Sequence, residues 1–137
     1  RQRQMCIRDR SMGGLMSIKT SILFPQFRNI ISLSPAFWFG YPSILNDVKN
    51  LSNESSTYLY TGKKEGHIFG DHVKNIFPNN WDLDFSNNDD FYYSGVKNIK
   101  DSFDSNNKKV IFSFQDNGRH NETSWATAIL EILGKLI

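Results

Sequence analysis

Four residues near the start of the chain, Ser11-Met12-Gly13-Gly14, combine a hydroxyl nucleophile with two residues that lack bulk. They open a stretch of helical apolar spacing, Leu15, Ile18, Ile22 and Leu23, which Pro25 closes. A serine at a sharp entry into a helix can attack a carbonyl carbon. Its neighbours must then be small, so that the helix can approach what lies beneath it. The N–H of Met12, at the positive end of that helix, would serve as an oxyanion donor. The same residues are also compatible with an ordinary serine N-cap before a glycine-rich turn.

Two further side chains could complete such chemistry. His120, in Gly118-Arg119-His120-Asn121-Glu122, follows the strand-like run 109–114. It could take the serine's proton, or be a solvated loop residue. Glu65, in Gly62-Lys63-Lys64-Glu65-Gly66, follows the run 57–60. It could orient and charge-stabilise an imidazole, or be solvated beside the two lysines. Asp71 is a rival for that role. Ser11, Glu65 and His120 gain weight together, because each would stand beyond the C-terminal end of a strand, where α/β sheets place ligands. Phe37 and Trp38 could be core, but after the Ser34-Pro35 turn at a strand end they read rather as walls of an acyl or aromatic pocket; Trp125 with the apolar stripe after it reads as core. His67 and His72, with Asp71 between them, do not amount to the three or four ligands of a metal centre. No phosphate-binding loop, dinucleotide fingerprint or basic patch with interleaved aromatics is present, so neither a cofactor nor a nucleic-acid partner is implied.

The elements that must position these residues alternate in kind. Helical spacing in 11–24 is followed by a short apolar run at 29–33 and a short helix at 43–51. The run 57–60 is β-branched and aromatic. The segment 66–90 is Asn-rich, with Trp81 and Phe85, and carries a short helix near 71–77. A helix over 91–103 places Val96, Ile99 and Phe103 on one face; a strand at 109–114 follows. The helix over 123–136 turns Trp125, Ile129, Ile132, Leu133 and Leu136 inward. This order predicts an α/β domain with about three parallel strands covered by helices.

Charge divides the chain unequally. The 137 residues carry a formal net charge of +2, from 16 Lys and Arg against 14 Asp and Glu. Four of those basic residues and one acidic residue lie in RQRQMCIRDR at the start, so residues 11–137 hold 12 against 13. The segment 1–10 resembles a translated sequencing-library adapter and reads as a non-native tail before a partial domain at 11–137. The sole cysteine, Cys6, belongs to it, so no disulfide framework is expected. No apolar run reaches the roughly 18–20 residues of a membrane span.

The stretch S-M-G-G-L-M-S, then I-S-L-S-P-A-F-W-F, Y-L-Y-T-G-K-K-E and G-R-H-N-E-T-S-W, resembles an esterase branch of the α/β-hydrolases. That branch includes enterochelin-esterase-like and feruloyl-esterase-like proteins, and the resemblance spans nearly all of 11–137. It implies the C-terminal half of an α/β-hydrolase fold and cleavage of a small-molecule carboxylic ester. Ser11 matches the nucleophile, Glu65 the acid, His120 the base, and the Met12 N–H one oxyanion donor. The chain order Ser, acid, His fits that superfamily, whose motif is Gly-x-Ser-x-Gly. Asp9 stands where its first glycine belongs. Acyl transfer to an alcohol with the same triad, or a non-catalytic binding homologue, are the alternatives. With early strands lying upstream, the sheet edge beside 29–33 or its neighbour should be open and the chain nearly inactive alone.

Overall fold

The computed structural model describes residues 5–77 and 83–136. Four parallel strands lie side by side in chain order: β1 (Met5–Arg10), β2 (Phe27–Leu33), β3 (Ser56–Gly62) and β4 (Lys109–Gln115). Helix α1 (Met12–Leu23) joins the first pair. Helix α2 (Ser43–Asp47) lies between β2 and β3, α3 (Val73–Ile76) and α4 (Asn88–Ser105) between β3 and β4, and α5 (Glu122–Leu136) follows the last strand. The chain is therefore α/β, as the alternating periods predict. Trp81 and the side chain of Leu136 lie outside the description.

Alternation along the strands builds two cores. Ile31 stands opposite Tyr58 and Leu33 opposite Tyr60. These four pack with Trp125, Ala128 and Ile132 of α5. One residue out of step, Ile30 and Leu59 join the larger cluster with Leu15, Ile18 and the apolar stripe of α4. A one-residue slip would exchange the two sets, so burial on both faces pins the register. In α4, Phe91, Tyr92, Val96, Ile99 and Phe103 form the buried stripe. Asn87 caps it by accepting from the Asp90 N–H, and Asp89 and Asp90 suit its positive end. Gly95 has no room for a side chain: a Cβ would lie 2.2 Å from the Phe37 ring.

Several expectations need correction. The sheet has four strands rather than about three, because Met5–Arg10, read as a tail, pairs with β2. A parallel ladder is made by backbone groups, so the charges of Arg8, Asp9 and Arg10 do not oppose it. They are exposed on the sheet's edge, where charge discourages further pairing, while Ile7 packs on the larger cluster. The strand at 29–33 consequently lies inside the sheet, between β1 and β3, and the open edge expected there or at its neighbour is that of the neighbour, β1. Leu133, expected inward, is 39% exposed on α5, and Leu23, which shares the apolar spacing of α1, is 74% exposed at its end. Both fit the helical period but lie past the edge of the surface their helices cover. No described helix is long and apolar enough to cross a membrane.

Candidate active site

Ser11 occupies the turn between β1 and α1 with φ 56° and ψ −125°. A side chain is rarely held at positive φ, and such strain costs about 1–3 kcal/mol unless neighbours over-determine it. Here they do. The Ser11 N–H donates to the Leu33 carbonyl at 2.9 Å, and the Ser11 carbonyl accepts from the Ala36 N–H at 2.9 Å and the Leu15 N–H at 3.3 Å. Gly14 lets the helix lie on β2, since a Cβ there would sit 2.8 Å from the Leu33 oxygen. Ser32 donates its hydroxyl to the Gly14 carbonyl at 2.7 Å across the same contact. At Gly13 a Cβ would fall 2.0 Å from Asp9 Oδ2, so the glycine makes room for the Asp9 side chain.

Glu65 lies beyond β3 and is 0% exposed. A buried carboxylate needs partners for its lone pairs. Its Oε2 accepts from the Thr61 hydroxyl at 2.8 Å and the Gly62 N–H at 2.9 Å. Its Oε1 stands 3.1 Å from His120 Nδ1. Asp71, the rival acid, is turned to other work: its side chain accepts from the His72 N–H and from Asn75.

His120 is brought to Glu65 by two loops that touch through glycines. The loop after β4 runs so close to the loop after β3 that a Cβ on Gly62 would lie 2.2 Å from the Gly118 oxygen. The Lys63 N–H donates to the Gln115 carbonyl at 3.0 Å and the Lys64 N–H to the Gly118 carbonyl at 2.9 Å. His120 Nε2 then lies 3.0 Å from Ser11 Oγ. With Glu65 accepting from Nδ1–H, Nε2 is left as the acceptor, which is the tautomer a general base requires. The Met12 N–H begins α1 and has no acceptor within the helix, which suits an oxyanion donor.

Burial, and then the negative charge of Glu65, push the Tyr60 and Tyr92 phenols well above their ordinary range, so both remain donors. Tyr60 donates to Gln115 at 3.0 Å and Tyr92 to the Ser34 carbonyl at 2.6 Å. His67 Nε2 accepts from the His120 backbone N–H at 3.2 Å. Burial, with Arg119 and His120 nearby, holds His67 below the usual imidazole value, against the opposing pull of Glu65 and Asp89.

Ser11, Glu65 and His120 are thus brought together from three strand ends. Phe37 is not a pocket wall: it is 0% exposed and packs edge-on against Trp38 and Tyr41. Trp38 is half-buried against Phe69 and Tyr92, one ring removed from His120. Residue-by-residue reading of the sequence missed Thr61, Ser34, Tyr92 and the Gly62–Gly118 contact. Only the turn-forming glycines left a local signal. No protein-family model matches the chain, and no curated protein sequence matches it.

Proposed function

We propose that this chain is a serine hydrolase of the α/β-hydrolase type, cleaving carboxylic esters of small molecules. The observation that carries the reading is the continuous relay Glu65–His120–Ser11, with separations of 3.1 and 3.0 Å, at the C-terminal edge of a parallel sheet. His120 takes the hydroxyl proton as Ser11 Oγ attacks the carbonyl carbon. Glu65 holds the ring and stabilises its cationic form. The Met12 N–H meets the negative charge on the carbonyl oxygen. The imidazolium gives its proton to the departing alkoxide, leaving an acyl-serine. Water, activated by the same base, releases the acid and restores Ser11.

The test is covalent. An alkyl fluorophosphonate should label the folded chain once, at Ser11, by intact mass and peptide mapping. Ser11→Ala and His120→Ala should remove the label. A wild-type chain that stays unlabelled, or is labelled elsewhere, would end the reading.

A further inference from the structure

Ser34 follows the last residue of β2, fully buried and with φ 44°. Glycine is the residue that adopts such a backbone easily, so a buried serine there calls for a reason. Its polar groups are all engaged. The N–H donates to the Tyr60 carbonyl at 2.7 Å. The carbonyl accepts from the Tyr92 hydroxyl at 2.6 Å, and Oγ accepts from the Trp125 ring N–H at 3.0 Å. Tyr92 belongs to α4 and the larger core, whereas Trp125 belongs to α5 and the smaller one. One residue at the strand end therefore anchors an aromatic ring from each side of the sheet.

Both rings then close on the same imidazole. Trp125 meets His120 edge-on, with ring centres 4.8 Å apart, and Tyr92 lies 5.5 Å away. Trp125 is itself covered by the Arg10 guanidinium, 5.2 Å from its ring centre, which is paired to Glu122 at 2.6 Å. A loop histidine must keep its ring within a few tenths of an ångström to relay a proton. Its two hydrogen bonds, to Glu65 and Ser11, hold the two ring nitrogens and only weakly restrain rotation of the ring about the line between them.

We infer that Ser34 is a positioning residue, which sets the His120 ring by fixing Trp125 through its hydroxyl and Tyr92 through its carbonyl. The catalytic consequence rests on the ester-hydrolase reading; the restraint on the ring does not. Ser34→Gly removes the hydroxyl and eases the backbone. Trp125→Phe keeps an aromatic ring but removes its tether. Each should lower kcat on a small activated ester about tenfold or more with KM little changed, as expected for a displaced catalytic group. The double variant should lose no more than the worse single one, because both delete the same hydrogen bond.

A second readout separates the two readings. In carbon-labelled protein, the His120 ring should give one sharp carbon–proton correlation in the wild type, broadened or doubled in Ser34→Gly and in Trp125→Phe. Ring signals that stay sharp and unshifted in both variants would overturn the positioning role, as would a wild-type signal already broadened by exchange. Full, independent losses that multiply in the double variant would also overturn it. Absence of ester turnover in the wild type, with the ring signals behaving as stated, would remove the hydrolase reading and leave the restraint standing.

Discussion

The two sides of the sheet are built differently. On one side α1, α2 and α4 bury an aromatic-rich cluster that includes Phe37, Phe91, Tyr92 and Phe103. On the other, α5 alone covers Ile31, Leu33, Tyr58 and Tyr60, and it leaves Leu130 and Leu133 exposed. Yet the thin side contributes Trp125, one of the two rings beside His120. Ser11 is held by backbone bonds at the end of β1, and Glu65 by the Thr61 hydroxyl and the Gly62 N–H within its own turn. His120 stands on a loop and depends on contacts made by individual side chains. The larger cluster lies on the thick side, while the rings that flank His120 come from both.

Four measurements would break or sharpen that contrast, beginning with the largest effect. On the proposed hydrolase reading, Ser11→Ala should reduce turnover of an activated ester by about 10³-fold or more, because nucleophile and base would act as a unit. Its thermal midpoint should barely move, since the backbone bonds of Ser11 remain; a large loss of stability would mean the side chain holds the turn. On the thick side, Ile99→Ala in α4 empties a fully buried site and should cost about 4 kcal/mol in denaturant unfolding. The equivalent deletion on the thin side, Ile132→Ala, should cost less, about 2 kcal/mol, because neighbouring exposed side chains can settle into the gap. Equal losses would show that α5 carries as much of the fold as α4.

The smallest effect is in alkali. Tyr60 and Tyr92 are held above the ordinary phenol value of 10.0, first by burial and then by the charge of Glu65. The unfolded chain loses those protons near pH 10 while the folded chain keeps them. This contribution to stability is therefore complete below about pH 10 and declines as the pH rises toward the folded values. Urea midpoints recorded between about pH 9 and pH 11 should fall, and less steeply in Tyr60→Phe. An unchanged slope in that variant would place Tyr60 outside the titration.

The sequence by itself determined the order of elements and the chemistry on offer. Periods of two and 3.6 are local consequences of side chains seeking one face, so β2, β3, β4, α1, α4 and α5 were legible within a few residues. Ser11, Glu65 and His120 could be nominated for the same reason, each by its turn residues and its place after a run of strand. Met5–Arg10 was not legible as a strand, because pairing is backbone chemistry and its charged side chains carried the opposite message. Nor was the fate of Phe37, since an aromatic loop looks alike whether it lines a pocket or fills a core. Only the tertiary structure shows that Glu65, and not Asp71 six residues on, lies beside His120, because that proximity depends on Gly62 meeting Gly118 across two loops. The role of Ser34 belongs to the same class. Its partners Tyr92 and Trp125 lie 58 and 91 residues away, and such a meeting is a property of packing that no local pattern records.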